Sequence, residues 1–342
     1  MTGPSMTYRF FILLLIFGLA PLTALRAADS EGEQLYWQGD YAAAHAKLED
    51  EAKAGRAESQ YRYAMLYVEE RGVAYDATTA LQWLGAAAGQ GHTQAKFVIG
   101  LIALSGRGVE QNLPKAAGWF ASAAEDGLRD AKYELGLLYL DGKGVDKNLK
   151  KARKLMSEAA EEGHAEAAFE TGLLYANGTG VKANPDRAIT WFEKAAEGGH
   201  FGAMHNLGVL YLEGIGVKAD PDKGLKMIQE AAEAGLAEAE MALGFLFYEG
   251  TVLPRDLAKA VAYFTSAAAK GAGEASFALA TIYGGANDGR PDLVRAYAHF
   301  VLAKQAGIAM PPELEQGFTP YLSEEVVAQA QSMIETGALF RQ

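Results

Sequence analysis

Residues 188–217 read AITWFEKAAEGGHFGAMHNLGVLYLEGIGV: an Ala- and aromatic-rich run, a stop at Gly198-Gly199-His200, a second apolar run with Gly208 inside it, and a close at Gly214-Ile215-Gly216-Val217. The same pattern recurs every 36 residues on either side, from about Ala57 to Gly307, without insertion or deletion. Stepping from Ala64 meets Gly100, Gly136, Gly172, Gly208, Gly244 and Ala280; stepping from Tyr67 meets Ala103, Tyr139, Tyr175, Tyr211, Phe247 and Tyr283. The series from Gly55 through Gly91, Gly127, Gly163, Gly199, Gly235 and Gly271 to Gly307 is unbroken. A chain built of identical units is a repeat solenoid, and solenoids mostly bind other molecules.

Each unit reads as two short helices. The first places Ala131, Leu135, Leu138 and Tyr139 at helical spacing, with Gly136 among them, and ends at Gly142-Lys143-Gly144-Val145. The second opens at Asn184-Pro185 and Asp220-Pro221 in two units, where the amide or acid can cap and proline suits the first helical position. It runs through Ala188, Trp191, Phe192, Ala195 and Ala196, then stops at Gly198-Gly199. A glycine inside a helix costs about 1 kcal/mol relative to alanine. Its recurrence at one phase implies a neighbouring helix packed too closely there for a side chain.

These residues resemble the Sel-like repeat (SLR) family, a relative of the tetratricopeptide repeat, whose units run A-x-x-x-L-G-x-x-Y-x-x-G-x-G-V and then A-x-x-W-[FY]-x-x-A-A-x-x-G-H. Ala203, Leu207, Gly208, Tyr211, Gly214, Gly216 and Val217 match a first half; Ala188, Trp191, Phe192, Ala195, Ala196, Gly199 and His200 match a second. The resemblance implies an all-α fold, a right-handed α/α solenoid of about seven 36-residue helix pairs. The units are 57–92, 93–128, 129–164, 165–200, 201–236, 237–272 and 273–308, with first helices lining a concave side. Departures fall in three loops: Glu70-Arg71-Gly72, Gly250-Thr251-Val252 and Gly284-Gly285-Ala286. Residues 29–56 read as a tetratricopeptide-type capping pair. Residues 309–342 read as a linker broken by Pro311, Pro312 and Pro320, then a capping helix opened by Ser323-Glu324-Glu325.

Residues 1–28 stand apart. Arg9 precedes the apolar run Phe10 to Ala20, followed by Pro21 and a small-residue stretch to Ala28, the composition of a secretory signal peptide. The run is shorter than the roughly 20 residues of a membrane-spanning helix; extended to Leu25, it leaves an uncleaved inner-membrane anchor as the alternative. With the SLR resemblance, this places the protein in the periplasm or outside the cell. The absence of cysteine excludes disulfides and lipid attachment through a cysteine. The 43 acids against 31 bases argue against nucleic acid, whose binding needs a basic face.

No chemistry announces itself. Gly106-Arg107-Gly108 and its counterparts follow the C-terminal end of a helix, whereas phosphate cradles use the N-terminus. His92, His164 and His200 hold one turn position in different repeats, too far apart to share a metal, and read as turn residues. His205 stands where other units have Tyr61, Phe97, Tyr133, Phe169, Met241 and Phe277, and His299 stands at a Trp position facing the terminal cap. Cysteine-rich SLR relatives are linked to β-lactam hydrolysis, but this chain has neither cysteine nor S-x-x-K, so that resemblance transfers nothing. Trp83, Trp119, Trp191, Tyr139, Tyr175 and Tyr211 read as core; Trp37 is the exception. No catalytic residue, cofactor or metal site is expected.

Function is sought instead on first-helix positions that the repeat does not fix. Three columns start at Glu58, Arg62 and Glu69, spaced to share one helical face. Eleven of their 21 positions are acidic and only Arg62 is basic. Acids in the first column suit the helix dipole, but those in the third, at the C-terminal end, do not. The expected site is an acidic face at Glu134, Asp141, Glu166, Glu170, Asn206 and Glu213, receiving a basic segment of a protein partner. The expected function is a non-enzymatic periplasmic adaptor or scaffold. The alternatives are a scaffold for envelope polysaccharide or peptidoglycan assembly, with an envelope glycan as ligand, and a hydrolase.

Overall fold

The computed structural model describes residues 30–285, 291–311, 315–316, 320 and 322–340; the signal-like segment 1–28 and Ala286 of the seventh loop lie outside them. Among the described residues there are seventeen α-helices and no strand, and the chain is an all-α solenoid. Helices α1 (Glu31–Gln38) and α2 (Tyr41–Lys53) come first. Seven pairs follow. Their first helices are α3 (Ala57–Val68), α5 (Thr93–Ser105), α7 (Arg129–Asp141), α9 (Ala165–Asn177), α11 (Phe201–Glu213), α13 (Ala237–Glu249) and α15 (Gly273–Gly284). Their second helices are α4 (Ala77–Gly89), α6 (Leu113–Glu125), α8 (Leu149–Glu161), α10 (Pro185–Glu197), α12 (Pro221–Glu233), α14 (Leu257–Ala269) and α16 (Leu293–Gln305). Helix α17 (Glu324–Thr336) and a 3₁₀ turn, Ala338–Phe340, end the described chain. No helix among the described residues is long and apolar enough to cross a membrane.

Every second helix starts at the same chemistry. Asp76, Asn112, Asn148, Asn184, Asp220, Asp256 and Asp292 each accept a helical amide at the N-cap, a contribution of about 1 kcal/mol apiece. From Asn112 onward the cap also donates its own N–H to a carbonyl in the last turn of the preceding first helix, as Asn148 does to the Tyr139 carbonyl at 2.8 Å. The loop is thereby tied at both ends. The first helices of the second to sixth repeats close on a left-handed glycine such as Gly142. In the first repeat that position is Glu70, which takes φ 57° with a side chain present, a conformation costing roughly 1–2 kcal/mol in an L-residue.

The chain divides into two compact units, one ending at His164 and the other beginning at Ala165. In the first unit, a Cβ added to Gly100 would lie 2.6 Å from the Phe120 ring, and one added to Gly136 would lie 2.9 Å from Met156. In the second unit, Gly172 meets Phe192, Gly208 meets Ile228 and Gly244 meets Phe264, at 2.5–2.6 Å. The close approach inferred for this glycine is present, and what fills the space is a large side chain from the second helix of the same repeat. The first repeat pairs Ala64 with the smaller Leu84, both fully buried; the last keeps Ala280 and Phe300 in one cluster.

Polar pairs 30 residues apart close individual repeats, tying the start of a first helix to the end of the second helix of the same repeat. Gln90 bonds Gln60 at 2.8 Å, Lys96 pairs with Asp126 at 2.5 Å and Lys132 pairs with Glu162 in the first unit. In the second unit the polarity is reversed, with Lys270 reaching the nearly buried Glu240 at 2.7 Å. At the front, α1 docks through Glu33, which accepts from the buried Ser59 hydroxyl at 3.1 Å. At the back, Ala330 and Leu339 bury against Ala298 of α16.

Candidate functional site

In the first unit, Glu134 and Asp141 lie two turns apart on α7, Glu134 half-buried and Asp141 exposed. Asp141 pairs with Lys143 at 2.7 Å, which neutralises part of its charge locally. Glu58, at the head of the first column, accepts from His92 Nε2 at 2.9 Å and pairs with Arg62 at 2.7 Å. The His92 bond is the main reason its carboxyl sits below the usual carboxylate range. Arg62 in turn lies 4.4 Å over the Trp37 ring, and Trp37 remains 43% exposed.

In the second unit, Glu166 and Glu170 lie one turn apart on α9, both half-buried, while Asn206 is half-buried and Glu213 exposed on α11. Glu166 accepts from His200 Nε2 at 3.1 Å. His200 Nδ1 accepts the Ala203 amide at 3.0 Å, and the ring stacks on Phe169 at 4.2 Å. His92 repeats the arrangement with Ala95 and Tyr61. An Nδ1 that accepts leaves the proton on Nε2. The turn histidines therefore cap one first helix while donating to the acid at the head of the previous one. His164 lies over Tyr133 at 4.5 Å with the rings tilted by 31°, and stands 3.8 Å from Asp130, beyond hydrogen-bond reach. Glu58 and Glu166 are thus built into repeat junctions, and the solvent-exposed acids lie elsewhere: Asp141, paired with Lys143, in the first unit, and Glu213, Glu238, Glu249 and Glu274 in the second.

The rings expected in the core are mostly half-buried. Tyr175 is buried, whereas Trp83, Trp119, Trp191, Tyr139 and Tyr211 keep partial exposure. Basic residues from the first turn of each second helix cover the tyrosines: Lys151 over Tyr139 at 5.0 Å, Arg187 over Tyr175 at 5.4 Å and Lys223 over Tyr211 at 3.9 Å. His205 is half-buried, and loss of water around the ring holds its pKa below that of an ordinary imidazole. His299 is buried against Tyr283 and meets Phe340 of the terminal turn. Among the described residues no group of histidines and carboxylates is arranged to hold a metal.

The Sel1 repeat profile matches residues 57–92, 93–128, 129–164, 165–200, 202–236, 237–271 and 273–308. The chain belongs to the Sel1 repeat family. Among solved structures it is similar to a protective antigen of uropathogenic Escherichia coli strains with an SLR fold, at 28% identity and TM-score 0.69, covering 77% of this chain and 56% of the antigen. It is also similar to a Sel1 repeat protein from Oxalobacter formigenes, at 29% identity and TM-score 0.64, covering 73% of this chain and all of that one. A search of curated proteins finds no match. The chain thus spans little more than half the length of the E. coli antigen. Sel1 repeat proteins are generally protein-interaction scaffolds, and the fold is typically non-enzymatic.

Within these Sel1 repeats one surface feature was missed. Positions three residues after the second column are apolar in every repeat but the last, which has Thr281: Leu173 and Val209 are half-buried, and Phe245 is 38% exposed. In the first unit the same column is more enclosed, with Met65 and Leu137 buried and Leu101 half-buried. Hydrophobic residues recurring in phase read as core, so the column offered no reason to look outward. The departure that signals exposure is Phe245, larger than any residue at that phase elsewhere in the chain.

Proposed function

We propose that this Sel1 repeat protein is an exported, non-enzymatic adaptor that binds protein partners on the first-helix faces of its repeats through their basic segments. The observation that carries this reading is the sign of those faces. Glu134, Asp141, Glu166, Glu170, Asn206 and Glu213 lie on them, and the exposed members Asp141, Glu213, Glu238, Glu249 and Glu274 have no basic counterpart in the three columns beyond Arg62. Charge of one sign on a binding face steers an oppositely charged partner and makes association salt-dependent. The composition of residues 1–28 supports export to the periplasm or outside the cell.

The test is crosslinking of the tagged protein in intact cells, comparing wild type with Asp141→Lys/Glu213→Lys/Glu238→Lys/Glu249→Lys. These four are exposed and hold no repeat junction, so the variant keeps its fold. Loss of a specific captured protein is the expected result. An unchanged set of captures would contradict the reading.

A further inference from the structure

The apolar column of the second unit specifies the shape of what docks there. Leu173, Val209 and Phe245 occupy one phase of α9, α11 and α13, so they form a row that runs across the three helices rather than along any of them. Acids border the row on both sides. Seven residues earlier come Glu166 on α9 and Glu238 on α13, with Gly202 between them on α11; four residues later come Glu213 on α11 and Glu249 on α13, with Asn177 on α9. At 1.5 Å rise per residue the two acidic rows flank the apolar one at about 10 Å and about 6 Å. The row is therefore a shallow apolar strip with negative margins, and Phe245 projects furthest from it, its ring edge resting on Phe264 at a centroid distance of 4.9 Å.

We propose that this strip is a docking site for an amphipathic, cationic α-helix of a partner protein, lying across α9, α11 and α13. The proposal rests on the adaptor reading above. Packed helices stand about 8–10 Å apart, and two turns of an α-helix rise about 10.5 Å. Apolar residues at i, i+7 and i+14 of an incoming helix therefore fall over Leu173, Val209 and Phe245 in turn, and Lys or Arg on either flank faces an acidic row. A β-strand covers the same step in about three residues, which sends successive anchors to opposite faces. The occupant is thus a helix laid in a groove and read by its apolar spacing.

The probe is a fluorescent 18-residue peptide carrying Leu at i, i+3, i+7, i+10 and i+14, Lys on both flanks and Ala elsewhere, titrated against the full chain. Three control peptides accompany it: the same composition with Leu positions scrambled, a version with Glu for Lys, and one with a central Pro. The probe is expected to bind with a Kd in the micromolar range that weakens with salt. Scrambling, the charge change and proline are each expected to weaken it at least tenfold. Phe245→Ala is expected to weaken the probe about tenfold in a chain that stays folded by circular dichroism, with the thermal midpoint lowered only by the lost ring contact with Phe264. If the scrambled peptide binds as tightly as the probe, or Phe245→Ala has no effect, the apolar strip is not the site, while the acidic-face reading survives. Unchanged binding of the proline peptide overturns the helical occupant. If the Glu peptide binds as well as the probe, the acidic-face reading falls with it.

Discussion

His299 concentrates the chemistry of a single residue out of place. It occupies the phase filled by Trp83, Trp119, Trp191 and Tyr263 in other repeats, is 1% exposed, and its Nδ1 has no hydrogen-bond partner among the described residues. Burial chiefly, and then the charge of Arg295, push its pKa down to about 4. A base whose folded pKa lies below its unfolded value near 6.5 contributes stability that is complete above pH 6.5 and is lost as pH falls toward 4. The loss between pH 7 and pH 4.5 from this one group is about 2 kcal/mol. His299→Tyr, which copies Tyr263, is expected to remove that increment. Urea midpoints at the two pH values check it, and an equal loss in wild type and variant would show that His299 is not the titrating group.

At the scale of the helix, the glycine at the centre of each first helix sets how near the second can come. Gly172→Ala gains about 1 kcal/mol in helix propensity but puts a methyl 2.6 Å from the Phe192 ring. Overpacking costs roughly 1–3 kcal/mol, so a net loss of about 1 kcal/mol is expected by denaturant unfolding. Adding Phe192→Leu recovers part of it, since the first repeat already combines Ala64 and Leu84 at these two phases in one buried cluster. A Gly172→Ala protein more stable than wild type would mean the glycine serves no close approach. This close packing was legible because one residue type at one phase has few explanations. The Asn/Asp cap column was equally present in the sequence, yet only Asn184 and Asp220 stood out, because proline follows them. The long-range polar pairs were harder. Glu58 and His92 lie 34 residues apart, Lys132 and Glu162 lie 30 apart, and the reversal at Glu240 and Lys270 keeps complementarity while breaking any residue-type column. Such pairs become visible only when packing says which two columns meet.

For the molecule as a whole, repetition has opposite consequences for stability and function. Neighbouring repeats share the same caps, glycines and junctions, so stability is a sum of like terms. The proposed binding rests on what departs from the pattern: acids where the repeat fixes nothing, and Phe245 where it asks for something smaller. The candidate acids were readable for that reason, but the sequence did not show that Glu166 is held by His200, or that an apolar strip lies between the acidic rows. The most direct measurement is site-specific photo-crosslinking in living cells, with a benzophenone side chain placed singly at Phe245 on the first-helix face and at Lys226, exposed on α12 of the same unit. A discrete adduct from position 245 and none from position 226 is the expected result. Adducts from position 226 alone would place the partner on the second helices and contradict the first-helix face as the binding surface.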